Sequence, residues 1–307
     1  MNIYVFIYIV CSYAISILLQ AYSNIPIDFQ IMGSALLLLC IGIPHGTLDH
    51  LLTFKKQDTN PFKFYLYYLG AILLYLLLWV LSPSIGLISF LLVSAFHFGE
   101  TQLHFFFKKK SQLRLFIYLS WGISILFTLI YYNIKELGQM TNSFDDTQVF
   151  LALYEHEIIK SIFIASNILC LSSFAFMYFN KLVTSQTLLS EVFFMAVIHL
   201  TAFLFPFIIC FTLYFIVLHS LPSIVHQFSF FKQTNKEFSV LKLIKLMAPY
   251  SILSILMSSI LIGLSYLNYL SISIPMVSLV VISVITLPHT MVMYNFNQSF
   301  LNKKSEH

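Results

Sequence analysis

The chain is divided into long apolar runs, each close to the length a helix needs to cross a bilayer. At ~1.5 Å per residue, about 20 apolar residues span the ~30 Å hydrocarbon core. Ten such runs occur, at 3–22, 28–44, 63–81, 85–106, 115–133, 159–179, 186–204, 206–228, 246–268 and 273–295. In lipid every backbone N–H and C=O must be satisfied within the protein, so runs of this kind are helices. The stretch 186–228 is too long for one crossing, and Pro206 is the natural point to divide it. Of the 307 residues, 59% are apolar and only 9% charged, with a mean hydropathy of +0.88. Soluble domains average ~45–50% apolar and ~25% charged. The balance excludes soluble enzymes, nucleic-acid-binding modules and disordered chains. The expected fold is all-α: a polytopic transmembrane helical bundle of about ten spans, one integral membrane domain over residues 1–307.

The basic residues orient these spans. With the N-terminus inside, cytoplasmic loops hold Lys55, Lys56, Lys63, Lys108, Lys109, Lys110, Arg114, Lys181, Lys232, Lys236, Lys242, Lys245, Lys303 and Lys304, which is 14 of the 16. The positive-inside rule favours this asymmetry, and both termini are expected to be cytoplasmic. No Lys or Arg precedes Lys55 and no small-residue cleavage site follows the first run, so it reads as a retained helix. The outer loop carries Asp145, Asp146, Glu155 and Glu157, and its segment 150–159 is expected to lie on the membrane surface as a short amphipathic helix. Cys11, Cys40, Cys170 and Cys210 sit within apolar runs without CxxC spacing and read as small buried hydrophobes.

Polar groups are costly inside hydrocarbon and are therefore candidates for function. Ten histidines are present. His156 and His307 fall outside the spans, His199 near the outer face, and His50 and His104 near the cytoplasmic interface. His45, His97, His219 and His289 lie on four spans that run in the same direction. They precede the next cytoplasmic lysine by ten, eleven, thirteen and fourteen residues, or ~15–21 Å of helix. Four imidazoles at one depth point to a common site. Neutral imidazole binds iron, copper, zinc and nickel. Asp49 and Glu100, four residues after His45 and three after His97, are placed to orient ligand imidazoles or to sit as interfacial carboxylates. Ser223 and His226 follow His219 on its face; His226 is ~10.5 Å along the axis and reads as interfacial.

The sequences around these histidines read GIPHGTLDH at 42–50, SAFHFGE at 94–100, YFIVLHSLPS at 214–223 and TLPHTMVM at 286–293. In this order on a polytopic chain they resemble the Brp/Blh family of β-carotene 15,15′-dioxygenases, from about residue 30 to 295. The resemblance implies an iron-dependent oxidoreductase of a bacterial cell (inner) membrane. Its substrates would be β-carotene and O2, cleaved at the central double bond to two all-trans-retinal, with Fe(2+) as cofactor. The family's metal-binding histidines map to His45, His97 and His219. Its fourth ligand falls on Ser223, a poor iron ligand, and the Asp that usually follows HFG is here Gln102. His289 has the right depth for a fourth ligand; His50, His226 and water are alternatives. The implied partners are lipid, the carotenoid and an opsin that receives retinal, with no nucleic acid. The 32 Phe and 18 Tyr suit an apolar tunnel for a polyene.

Other readings stay open on the sequence. Ser223 is compatible with a non-catalytic retinal- or carotenoid-binding or opsin-assembly protein. A polytopic transporter suits ten spans broken at Pro206 and Pro222, but no repeat and no mid-membrane acid is found. A di-iron desaturase or hydroxylase would call for His-His pairs, and none occurs. No lysine lies in mid-span to form a retinal Schiff base.

Overall fold

The architecture follows from where prolines and small residues interrupt the apolar runs. It is described here from a computed structural model covering residues 3–21, 27–54, 60–107 and 112–304, without the side chains of 21, 27, 28 and 299–304. Lys55, Lys56, Lys108, Lys109, Lys110 and His307, and the side chains of Lys303 and Lys304, lie outside the described residues. Among those described, ten stretches are helical, apolar and long enough to cross a membrane, and no strand occurs. They correspond one for one to the ten runs of the sequence.

Helix α1 (Ile3–Ala21) is the first span. The second is α2 (Ile27–Leu37), continued by a π-helical turn Leu38–Gly42, a 3₁₀ turn Ile43–Gly46 and α3 (Asp49–Phe54). It therefore runs ten residues past the expected end at residue 44. Then come α4 (Pro61–Leu81), α5 (Pro83–Leu103) and α6 (Gln112–Tyr132). Pro61 and Pro83 sit in the first turn, where the missing N–H has no intrahelical partner to lose. A connecting segment holds α7 (Ile134–Asn142) and a 3₁₀ turn Gln148–Tyr154. It is followed by α8 (His156–Phe179) and α9 (Ser185–Leu204). Pro206 separates α9 from α10 (Phe207–Leu213), as expected. A π-helical turn Tyr214–Ser220 then leads into α11 (Leu221–Thr234) within one continuous span. The last two spans are α12 (Val240–Tyr266) and α13 (Ile274–Lys304).

Helix α6 is central. It buries Ile117, Tyr118, Trp121, Ile125 and Leu129 against α5, α8, α9 and α10. Water gives no driving force between helices in lipid, so close packing and interhelical hydrogen bonds carry the association. Gly99 and Gly122 show the packing. A Cβ on Gly99 would fall 1.8 Å from the Tyr118 carbonyl oxygen, and one on Gly122 would fall 1.7 Å from that of Ala95. Only glycine permits the α5 and α6 backbones to approach this closely. The polar links are Ser124 to Asn167 at 2.8 Å and Asn133 to the Ala202 carbonyl at 3.2 Å. Tyr8 of α1 joins Thr201 of α9 at 2.6 Å, which fixes the first helix in the bundle.

The segment between α6 and α8 differs from expectation. Residues 150–159 do not form one amphipathic surface helix; a 3₁₀ turn ends at Tyr154 and α8 begins at His156. Phe150 is buried against Trp79, Leu87 and Met276, so burial of an aromatic ring sets its position. The loop carboxylates take structural roles. Glu136 accepts the Phe207 N–H at 2.8 Å, and Asp146 accepts that of Ser273 at 2.7 Å, where unpaired N–H groups and the helix dipole favour an anion. Among the cysteines, Cys170 and Cys210 are buried, Cys11 is half-buried and Cys40 is exposed. Cys40 is thus a correction to the expectation of burial: it lies in the π-helical turn that resets the face of the second span.

Candidate metal centre

Three of the four depth-matched histidines stand beside prolines, and in two of these spans the helix departs from regular α geometry. Pro44 precedes His45, Pro222 follows His219 by three residues, and Pro288 precedes His289. A proline cannot donate to the i−4 carbonyl and crowds it. The chain answers with wider turns: Ile43 N–H reaches the Leu38 carbonyl, and Leu221 N–H that of Ile216, each five residues back. Such π-type turns rotate the following side chains off the regular helical face. They leave His45 and His219 directed inward. His97 sits on the regular helix α5, at the point where Gly99 draws it onto α6.

The four rings meet in a closed circuit. Ring centroids lie 5.3 Å apart for His45 and His219, 4.7 Å for His219 and His97, 4.9 Å for His97 and His289, and 4.8 Å for His289 and His45. Neighbouring planes are near perpendicular, at 79–87°. All four residues are buried. His45, His97 and His289 each offer one nitrogen within 4.8 Å of the others, the arrangement of a metal site; His219 is not one of those three. Ligands on one ion with bonds of ~2.1 Å lie roughly 3–4 Å apart, so the most separated of the three nitrogens need to close by about 1–2 Å.

Their hydrogen bonds fix which nitrogen is available. His289 Nδ1 donates to both oxygens of Asp49, at 2.9 and 3.1 Å. A carboxylate only accepts, so Nδ1 carries the proton and Nε2 keeps its lone pair. His45 Nδ1 contacts the Gly42 carbonyl, with the same consequence for its Nε2. The Nε2 atoms of His97, His219 and His289, and Nδ1 of His97, are buried without a protein hydrogen-bond partner. Unpartnered buried nitrogens cost free energy unless something occupies them. An all-imidazole donor set, with the protons of His45 and His289 turned outward, fits a borderline divalent metal such as iron. Phe98 and Phe215 pack edge-on against the cluster, 4.8 Å from His219 and 5.4 Å from His45.

Of the two carboxylates singled out in the sequence, Asp49 holds an imidazole, but it holds His289 and not its near neighbour His45. Tyr68 donates to its second oxygen at 3.0 Å. Glu100 is fully buried and accepts from Asn297 at 3.0 Å. Ser223 is buried one turn beyond His219, with Gln227 3.4 Å from its hydroxyl. Gln227 also donates to the His45 carbonyl at 2.8 Å, bracing the 3₁₀ turn. The other histidines lie apart from the circuit. His104 and His226 stack in parallel at 5.5 Å, and His50 packs on Tyr250 at 4.4 Å. His199 lies 3.0 Å from Asn167, and His156 pairs with the exposed Glu157. His50 and His104 are both buried by neighbouring helices. Tyr68, Gln227 and Asn297 escaped the sequence reading. A glutamine within an apolar span was a legible signal for Gln227; one tyrosine among 18 was none.

Fold and site together define a class: a polytopic helical membrane protein with a buried histidine cluster that could hold a metal. Residues 36–297 match the family described as beta-carotene 15,15'-dioxygenase, and the chain belongs to that family. No curated protein and no solved structure matches it.

Proposed function

We propose that this chain is an iron-dependent carotenoid oxygenase of the bacterial cell membrane, cleaving the central 15,15′ double bond of β-carotene with O2. The observation that carries the reading is the buried meeting of His45, His97, His219 and His289 from separate spans. Family membership over residues 36–297 supplies the reaction class. The balance is simple: one C40 polyene and one O2 give two C20 aldehydes, each former alkene carbon taking one oxygen atom. When bound, iron supplies the one-electron chemistry that O2 requires.

The four imidazoles would hold the ion, with His289 in place of the ligand expected at Ser223. Asp49 keeps the His289 lone pair aimed inward and offsets part of the metal's charge. Gln227 braces the backbone of His45. Phe98 and Phe215 exclude water, so that oxygen atoms come from O2 and reactive species are not quenched. No side chain has to donate or remove a proton for this balance. Retinal leaves into the bilayer, where an opsin is a fitting receiver.

The test is expression in a bacterial host that accumulates β-carotene, with iron supplied. Retinal should form and colour fade, and His45→Ala, His97→Ala or His219→Ala should abolish both. Full activity in any one of these variants would remove that residue as an essential ligand. Absence of retinal from well-expressed protein would favour a non-catalytic carotenoid-binding role.

A further inference from the structure

One cleft lies beside the histidine cluster, with none of the four histidines in its wall. It has a volume of about 310 Å³ and lies between α3, α4 and α13, lined by Thr53, Tyr67, Tyr68, Ala71, Pro288 and Met291 among others. Its mouth is open at the surface of the bundle: Tyr67 is 75% and Met291 55% exposed. Its inner end is joined to the site by two covalent or hydrogen-bonded steps. Pro288 is the residue before His289. Tyr68 forms part of the wall while its hydroxyl donates inward to Asp49, whose carboxylate holds His289.

We propose that this cleft seats one end of the apolar polyene as it enters from the bilayer, and that Tyr68 is a positioning residue at its inner wall. The inference rests on the carotenoid reading above. Size favours an end and not the whole molecule: the volume is at the lower limit of the ~300–1,000 Å³ that holds a drug-sized ligand. The lining is mostly apolar and aromatic, which suits a ring and methylated chain. The groups that could hydrogen-bond are few, and Tyr68 spends its own proton on Asp49. An end lodged here presses on the side chain that steadies His289, so the depth of seating and the orientation of that imidazole are coupled.

The experiment uses the full chain in lipid nanodiscs, stripped of metal and titrated with β-carotene, binding being read from the visible absorption of the bound polyene. Ala71→Trp fills the cleft, and Leu73→Trp adds the same bulk on the lipid-facing side of α4, where Leu73 is 64% exposed. Ala71→Trp should weaken binding at least tenfold while iron content after reloading stays at the wild-type level; Leu73→Trp should bind as wild type. If Ala71→Trp fails to retain iron, Met291→Trp from the opposite wall replaces it. Tyr68→Phe keeps the wall and loses the hydroxyl, so it should bind β-carotene normally yet hold iron more weakly. Wild-type affinity in both cleft-filling variants would show that the cleft is a groove for lipid chains and overturn the proposal. If wild-type protein itself neither binds β-carotene nor makes retinal, it is the carotenoid reading that fails.

Discussion

Asp49 offers the sharpest perturbation of the site. Its two oxygens take His289 Nδ1 at 2.9 and 3.1 Å and the Tyr68 hydroxyl at 3.0 Å, and its side chain is only 4% exposed. Hydrogen bonds to a charged partner contribute ~1.5–3 kcal/mol. Partners that orient metal-bound histidines typically change metal affinity 10–100-fold when removed, equal to about 1.4–2.8 kcal/mol. Asp49→Asn keeps one carbonyl oxygen for Nδ1 but loses the charge, so iron affinity should fall about tenfold. Asp49→Ala removes every acceptor and frees the ring to turn, and the fall should approach a hundredfold. The assay is competition for Fe(II) against a chelating indicator in detergent-purified protein, with thermal unfolding of the metal-free form as a control for folding. Iron affinities within twofold of wild type in both variants would show that His289 is not held for a metal by Asp49.

The glycine contacts and the serine position give two further tests. Gly99→Ala or Gly122→Ala should each destabilise the bundle by at least ~1–3 kcal/mol, because backbone atoms cannot yield as side chains do. Gly70→Ala, with nothing within 4 Å, should be tolerated, and thermal unfolding of the three variants would decide it. Ser223→His adds an imidazole one turn beyond His219, but His289 already closes the circuit. Iron should stay at one per chain by elemental analysis and retinal output should not rise more than twofold; a large rise would place the missing ligand at Ser223.

Ten apolar runs and ten apolar helical stretches agree because segment length is set by the bilayer and not by tertiary detail. Pro206 marked a true break because the residue before it is driven out of the helical region. Pro44 and Pro222 were visible too, but the π-type turns beside them were not, since accommodation of a proline depends on packing from neighbouring helices. Equal depth singled out four histidines, His289 included, because helical rise converts sequence distance to height, and their rings lie side by side. Rise says nothing of rotation about the axis. That is why Asp49, placed near His45 by spacing, turned out to hold His289 from another span. Phe150 escaped for a related reason: its burial under Trp79 is a contact between distant segments.

The central claim is that these histidines hold iron for symmetric cleavage of a C40 polyene. The most direct measurement is the product balance of purified, iron-loaded protein given β-carotene under O2. Two retinal should form per β-carotene consumed, with activity lost on chelation and restored by Fe(II). Unequal aldehydes, or retinal formation untouched by chelation with iron fully removed, would contradict it.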